Sequence, residues 1–277
     1  MAPDGYLARW NLTLDGAPIV TATARLWPVR HLGAPAILKL ATVADTPGAE
    51  ALLRWWAGDG AARVLAGDPP ALLLERATGS RSLAAMAGTG EDDAACRILC
   101  AVAARLHAPR GPHPPGLTPL AVRFAALAPA AATQGGILAR CEAVAAGLLA
   151  EPREIVPLHG DLHHGNVLDF GPRGWLAIDP HALLGERGFD HAVLFANPDL
   201  ADPAHPVATL PGRFQHRLAV VAAAARLERT RLLRWVLAWA GLSAAWFLED
   251  GQSPATTLAL AALAAAELDR AGAAATG

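Results

Sequence analysis

Lysine is nearly absent from this sequence of 277 residues. Of its 23 basic residues, one, Lys39, is a lysine and the remaining 22 are arginine. The composition uses arginine wherever any positive charge will serve, so a position that keeps lysine is a candidate for a site that needs a compact ammonium group. Lys39 is therefore the first candidate functional residue.

Cysteine, long apolar runs and excess charge are also scarce. Three cysteines are too few for a disulfide framework in a chain of this size. The longest apolar run, residues 235–248, has 14 residues, whereas a bilayer-spanning helix needs about 20. No signal-peptide pattern opens the chain, and a net charge of −2 gives no basic field for nucleic acid. We therefore expect a cytoplasmic monomer that binds neither nucleic acid nor membrane.

Two regions with different periodicity divide the chain. Strands are predicted at residues 10–14, 19–28, 35–40, 62–65 and 71–74, with one helix at 47–57. After residue 76 the spacing is mainly helical, at residues 91–107, 122–150, 212–227, 230–248 and 254–270. The sequence therefore predicts a small lobe of strands with one helix at 1–76 and a larger, mainly helical lobe at 77–277.

Residues 156–181 interrupt the helices and carry the strongest motif. The spacing H-x-D-L-x-x-x-N places His159, Asp161 and Asn166, and Asp179 follows at the end of an apolar run. In kinases such a loop supplies the residue facing the attacking hydroxyl, and its Asn and a later Asp hold magnesium. A lone H-x-D is more often a capping turn, but the full spacing is much rarer. It predicts Asp161 as catalytic base or orienting residue, Asn166 and Asp179 as Mg²⁺ ligands, and His159 as support for the loop.

Lys39 lies late in the third predicted strand, in P-A-I-L-K-L. Its flanking leucines alternate with it, so a single polar side chain would point away from them toward a phosphate pocket. This is the geometry of the kinase lysine that binds the nucleotide phosphates, whose partner is an acid on the next helix. Glu50 is the best-placed acid and Asp45 the second.

The rest of the expected nucleotide site has weaker signals. Kinases cover the phosphates with a Gly-rich loop, whereas this chain has residues 19–24, I-V-T-A-T-A. The hydroxyls of Thr21 and Thr23, with nearby N–H groups, are candidates to replace it. Glu75 and Ala77 lie at the junction of the lobes, where backbone groups would receive the adenine ring.

Further acids lie in the helical lobe. Asp190 is predicted to cap a helix and tie down the catalytic loop. The acids that could face a cationic substrate are Glu186, Asp199, Glu249 and Asp250. Each of these four is, taken alone, more ordinary as a cap or a surface charge.

A zinc site is an alternative interpretation of the same stretch. His159, Asp161, His163 and His164 are common zinc ligand types. A zinc hydrolase would need further ligands, for which His181, His191 and His205 are available. This hypothesis explains neither Asn166 nor Lys39.

The sequence resembles the aminoglycoside phosphotransferases, and among them those that modify streptomycin at its 6-hydroxyl. The stretches that carry the similarity extend over nearly the whole chain. They include R-W-W-A-G-D-G-A-A-R-V at 54–64, L-H-G-D-L-H-H-G-N-V-L-D-F at 158–170, R-G-W-L-A-I-D-P-H at 173–181 and G-L-S-A-A-W-F at 241–247.

The resemblance implies an α+β, two-lobed protein-kinase-like fold with a small antiparallel N-terminal sheet. It implies transfer of the ATP γ-phosphate, with Mg²⁺, to a hydroxyl of an aminoglycoside, which confers resistance. Kinases of hydroxyurea or of a cyclic-peptide antibiotic share these motifs and are alternatives. Two positions depart from the family pattern: the helix acid aligns nearer Pro47 than Glu50, and Gly165 replaces a glutamate.

Overall fold

A computed structural model describes residues 3–42 and 48–276. The first strands of the chain are β1 (Leu12–Leu14), β2 (Ile19–Val20), β3 (Ala24–His31), β4 (Ala34–Ala41), β5 (Val64–Asp68) and β6 (Ala71–Glu75). They form one antiparallel sheet in the order β1–β3–β4–β6–β5, and β2 pairs with β3. The predicted strand at 19–28 is therefore two strands.

A short helix, α1 (Asp4–Arg9), precedes the sheet and was not predicted. Asp4 lies in its first turn and Arg9 in its last, so both charges interact favourably with the helix dipole. The rings of Tyr6 and Trp10 lie 5.2 Å apart and pack against the buried face of the sheet. This packing stabilises a helix too short to form alone.

The two faces of strand β4 have different surroundings. Leu38 and Leu40 are fully buried in the core beneath α1. Ile37 and Lys39 alternate with them and line a cavity on the opposite face. The alternation predicted for Lys39 is thus present in the sheet.

Helix α2 (Ala49–Trp56) connects the sheet to the rest of the molecule. Its buried residues Leu52, Leu53 and Trp56 belong to the same hydrophobic core as the helices that follow. The two parts of the chain therefore share one large core.

The second part of the chain is mainly helical. Its helices are α3 (Leu83–Met86), α4 (Asp92–Leu106), α5 (Leu120–Arg123), α6 (Leu127–Gln134), α7 (Gly136–Ala150), α8 (Gly188–Val193), α9 (Pro211–Ala225), α10 (Arg229–Glu249) and α11 (Ala255–Thr276). Helix α10 is the central element, because nearly all its residues from Arg231 to Ala245 are buried. None of the helices in the described residues combines the length and apolarity needed to cross a bilayer.

The helical stretch predicted at 122–150 is broken. Gly135 and Gly136 have φ of +62° and +53°, a region that glycine enters at no steric cost. The chain turns there between α6 and α7.

Short strands carry the motif region. β7 (Thr118–Pro119), β11 (Leu183–Glu186) and β8 (Ile155–Leu158) form a three-stranded sheet, and β9 (Val167–Asp169) pairs with β10 (Trp175–Ala177) as a hairpin. The loop between β8 and β9 holds the H-x-D motif, and residues 178–182 link β10 to β11.

Candidate active site

Asp161 lies in the loop between β8 and β9, where Asn166 holds one of its carboxylate oxygens and His163 lies close to the same oxygen. The Asn166 amide Nδ2 donates to Asp161 Oδ2 at 2.9 Å and to the Asp161 backbone oxygen at 2.9 Å. The His163 Nε2 lies 3.4 Å from the same Oδ2. Within the described residues, Asp161 Oδ1 accepts no hydrogen bond, so this oxygen can face a substrate hydroxyl.

The environment of Asp161 favours its ionised form. Burial acts to raise the pKa of the carboxyl, but the hydrogen bond and charge of His163, with the charges of His181 and His159, lower that pKa to about 2. The carboxylate is therefore ionised at neutral pH.

His159 and Asp190 support this loop from behind. His159 is fully buried; its Nε2 contacts the Ile178 oxygen at 2.8 Å and its Nδ1 accepts from the Asp161 N–H at 3.2 Å. The Asp190 carboxylate accepts from the N–H groups of His159 and Gly160 at 2.9 and 2.8 Å. These contacts fix the backbone on both sides of the motif.

Helix α2 also contacts the loop. The Trp56 ring stacks on the His159 ring, with centroids 6.3 Å apart and an interplanar angle of 15°. The Trp56 indole Nε1 donates to the Leu106 carbonyl at 3.0 Å. Trp56 of α2 thus contacts both the loop and the C-terminal end of α4.

Asp179 and Lys39 meet across the two parts of the chain. The Lys39 Nζ lies 2.8 Å from Asp179 Oδ1. Asp179 has φ +57°, and its side chain is 55% exposed, so the carboxylate projects from the end of β10 into the open cleft. The neighbouring Ile178 N–H donates to the Asn166 carbonyl at 2.9 Å, which joins the loop to the Asp179 segment.

A cavity of about 1080 Å³ opens above this ion pair. It brings together the predicted nucleotide residues and one predicted metal ligand: Thr21, Thr23, Lys39, Glu50, Glu75, Ala77 and Asp179. Apolar side chains of β4, β6 and the β9–β10 hairpin, among them Leu72, Leu168 and Ile178, form its walls. A mostly apolar cleft with a few polar groups at one end is typical of a small-molecule site.

Glu50 is not the partner of Lys39 in this structure. Its carboxylate pairs instead with Arg54, four residues further along α2, because residues at this spacing are neighbours on a helix surface. The second candidate partner, Asp45, lies outside the described residues.

Thr21 and Glu75 also have other partners. The Thr21 hydroxyl donates to the Ala24 carbonyl and accepts from the Ala24 N–H, both at 3.0 Å, which closes a turn between β2 and β3. The Glu75 carboxylate accepts from the Arg63 N–H and from Arg173. Both side chains line the cavity, but their polar atoms form hydrogen bonds with other protein groups.

Two of the four acids predicted to face a substrate are buried structural groups. Glu186 is 3% exposed and accepts from Arg231 at 2.6 Å and from the Trp235 indole at 2.7 Å. Asp199 is 1% exposed and accepts from the N–H groups of residues 207–209 at 2.9 Å. The substrate role predicted for them is wrong, because their oxygens are already bonded inside the protein. Glu249 and Asp250, in contrast, are exposed at the end of α10.

The histidines of the motif do not form a zinc site. No group of three His, Cys, Asp or Glu side chains in the described residues is arranged to hold a metal ion. Both nitrogens of His159 are hydrogen-bonded to protein groups, and His191 is buried with its Nδ1 on the Arg187 carbonyl. The zinc alternative is therefore contradicted by the geometry.

Arg123 lies beside the loop that carries Asp161 and was not singled out from the sequence. Its guanidinium carbon stands 4.2 Å from the centroid of the Trp246 ring, and its Nη2 lies 3.0 Å from His181 Nδ1. Burial lowers the pKa of Arg123, and the nearby Asp161 charge raises it. Since α5 has no motif, no sequence signal could have identified this residue.

Comparisons with known proteins point to one family. A sequence profile of the family described as aminoglycoside/hydroxyurea antibiotic resistance kinase matches residues 9–251. The chain is 56% identical over 245 residues to a streptomycin 3''-kinase from Klebsiella pneumoniae, which covers 88% of this chain and 92% of that protein. It is 36% identical over 262 residues to a streptomycin 6-kinase from Streptomyces glaucescens, with 89% and 82% covered.

A solved structure shows the same fold. A thermostable mutant of an aminoglycoside phosphotransferase, in ternary complex with ADP and hygromycin B, superposes with a TM-score of 0.67 at 15% identity, covering 94% of this chain and 97% of that one. The predicted kinase-like fold is confirmed. The narrower likeness to 6-phosphotransferases is not supported, because the identity to the 3''-kinase is higher.

Proposed function

The chain belongs to the aminoglycoside/hydroxyurea antibiotic resistance kinase family, and from that premise we propose that it transfers the γ-phosphoryl group of ATP to a hydroxyl of streptomycin. The observation that carries the proposal is the meeting of Lys39 and Asp179 at 2.8 Å on the floor of the cavity. The loop with Asp161 and Asn166 lies directly beside Asp179. A phosphoryl-transfer site needs these groups in one place.

The cavity fits a nucleotide. Its apolar walls suit a purine ring, and the Lys39 ammonium at its floor suits phosphate oxygens. We assign Thr23 and the N–H groups of the β2–β3 turn to the phosphate end. The junction at Glu75 and Ala77 is assigned to the base through backbone groups.

Asn166 and Asp179 fit a magnesium ion. The Asn166 amide directs its Nδ2 at Asp161, so its carbonyl oxygen remains for a cation, and Asp179 adds a carboxylate. Mg²⁺ prefers oxygen ligands and in such enzymes takes one or two protein groups, with substrate phosphates and water completing its shell. When bound, the ion would neutralise charge on the phosphates.

Asp161 would orient the acceptor hydroxyl. Its Oδ2 is held by Asn166, with the His163 ring 3.4 Å away, and its Oδ1 is left to accept from the substrate O–H. A carboxylate fixed in this way aims an oxygen lone pair of the acceptor along the transfer line, and positioning of this kind supplies most of the catalysis in phosphoryl transfer.

The acceptor is best assigned to the 3''-hydroxyl, on the amino sugar of streptomycin. The 56% identity to the Klebsiella pneumoniae 3''-kinase carries this choice. The 6-hydroxyl of the streptidine ring is the second candidate, favoured by the relative from Streptomyces glaucescens. Glu249 and Asp250, exposed after Trp246 on α10, are assigned to the cationic groups of the drug.

A product analysis tests this proposal. The protein is incubated with ATP, Mg²⁺ and, separately, streptomycin, hygromycin B and hydroxyurea, and products are analysed by mass spectrometry. We expect one added phosphate on streptomycin, and fragmentation should place it on the amino sugar. Phosphate on the streptidine fragment would move the acceptor to the 6-hydroxyl, and modification of hydroxyurea alone would overturn the streptomycin assignment.

A further inference from the structure

His163 has a position that the motif alone does not explain. Its Nδ1 accepts a hydrogen bond from the Gly165 N–H at 3.1 Å. In a neutral imidazole the other nitrogen then carries the hydrogen. That nitrogen, Nε2, lies 3.4 Å from Asp161 Oδ2, longer than an ordinary N–H···O hydrogen bond, so the ring is an electrostatic neighbour of the carboxylate.

Gly165 leaves room for this ring. A Cβ atom added at Gly165 would lie 3.0 Å from His163 Cε1 and 3.4 Å from its Nδ1. Contacts of this length require the neighbouring ring to shift by a few tenths of an ångström. The absence of a side chain at 165 thus allows the His163 ring to lie next to the Gly165 backbone, with Nε2 near Asp161.

One hydrogen bond and one electrostatic contact on Oδ2 restrain the direction of the carboxylate. Asn166 Nδ2 holds Oδ2 at 2.9 Å, and His163 approaches the same atom from a second residue of the loop. The His163 contact adds to the restraint that Asn166 places on Oδ2, and Oδ1, on the other side of the planar carboxylate, is left for an acceptor hydroxyl.

We propose that His163 is a positioning residue, which with Gly165 beneath it fixes the Asp161 carboxylate for the acceptor hydroxyl. The inference rests on the proposed function, since it assigns Asp161 to that hydroxyl. The neighbouring His164 is buried, at 3% exposed, and within the described residues its ring nitrogens make no hydrogen bond to Asp161. Of the two adjacent histidines, His163 is the one that acts on the site.

Kinetics of variants test the proposal. His163→Ala should lower kcat about 10- to 100-fold, the scale of a small misplacement of reacting groups, while KM for ATP and streptomycin and the thermal midpoint change little. His163→Gln, whose amide N–H can reach the place of Nε2, should recover most of kcat. Gly165→Ala should give an intermediate kcat, because it displaces the ring without removing it.

A double-mutant cycle separates positioning from a general effect on the fold. In an Asp161→Asn background, His163→Ala should cause almost no further loss of kcat, because the group it positions has changed. An undiminished kcat in His163→Ala, equal losses for the alanine and glutamine variants, or the same fold-loss in both backgrounds would overturn the inference. A wild-type protein that does not phosphorylate streptomycin would instead overturn the proposed function.

Discussion

Lys39 reaches the site because of its register in β4. Its neighbours Leu38 and Leu40 point into the core beneath α1, so the ammonium group emerges on the cavity side. There it meets Asp179, whose left-handed backbone turns the carboxylate toward it. In the proposed cycle, the Lys39 ammonium group would donate to phosphate oxygens, and the Asp179 carboxylate would bind Mg²⁺.

Removal of the ammonium group should affect nucleotide use first. We expect Lys39→Ala to raise KM for ATP about tenfold or more, since charge-assisted contacts to phosphate are worth about 1.5–3 kcal/mol each. KM for streptomycin should change less than twofold. Steady-state kinetics with each substrate varied in turn measures both, and Arg140→Ala, which removes a positive charge paired with Asp269 on the surface and away from the cavity lining, is the control that should leave both constants unchanged.

At the residue scale, the sequence predicted the groups whose spacing is chemically unusual. Asp161, Asn166 and Asp179 fall in a rare pattern, and Lys39 is the one lysine. The acids predicted for substrate contact had no pattern, only charge. Glu186 and Asp199 prove buried and bonded, because charge type alone does not distinguish a buried ion pair from an exposed carboxylate.

At the scale of elements, Glu186 joins β11 to α10. Arg231 and Trp235, one turn apart on α10, both donate to its carboxylate, and the Arg153 N–H donates at 2.9 Å. These hydrogen bonds hold Glu186 ionised: burial raises the pKa of its carboxyl, while Arg231, Trp235 and the Arg153 N–H lower it, with a net downward direction. The network orients the central helix against the strand that follows the site.

Loss of this carboxylate should destabilise the protein without altering substrate binding. Glu186→Ala leaves the buried Arg231 charge without its partner, so we expect a decrease in the free energy of unfolding of about 3–5 kcal/mol. Urea unfolding measures this decrease, and KM for streptomycin should stay unchanged in the fraction that remains folded. Glu249→Ala, at the exposed end of the same helix, should do the reverse: stability is retained and KM rises.

The extent of the elements was partly predictable. Long periodic segments such as α4 and α10 were predicted within a few residues, because their apolar spacing is unambiguous. Helix α1 and strands β7 and β11 were missed. They are too short to show a period and are stabilised by packing, as when Tyr6 and Trp10 cover the sheet.

For the whole molecule, buried neutral histidines link stability to pH. His191 is buried, and burial lowers its pKa to about 4; burial also lowers the pKa of His159 and His164. Between the ordinary histidine value and these lowered values, the unfolded chain binds protons that the folded chain does not. Stability is therefore fully present above the ordinary value and is lost as the pH falls.

The contribution of His191 can be measured separately. Between pH 7.5 and pH 5 we expect this residue to remove about 2 kcal/mol from the free energy of unfolding. His191→Asn keeps a donor for the Arg187 carbonyl and does not titrate. Urea unfolding at both pH values should show a smaller acid loss for the variant by about that amount, whereas an equal loss would assign the pH dependence to other groups.

The two parts of the chain are held together by one shared core. Trp56 of α2 stacks on His159 of the catalytic loop, and Leu52 and Leu53 pack among the C-terminal helices. The predicted division at residue 76 remains a prediction. Contacts of this kind between distant segments have no local signature, so the sequence could indicate both halves of the site but not how they are held together.

The rates of streptomycin phosphorylation by the wild-type protein and by Asp161→Asn test the proposed role of Asp161 most directly. The substitution keeps the size of the side chain and removes the charge that faces the acceptor. With ATP and Mg²⁺ saturating, we expect the wild type to add one phosphate to streptomycin and the variant to lose about 100-fold or more in kcat, with its thermal midpoint retained. Phosphorylation of streptomycin by Asp161→Asn at the wild-type rate would contradict the assignment of Asp161 to the acceptor hydroxyl.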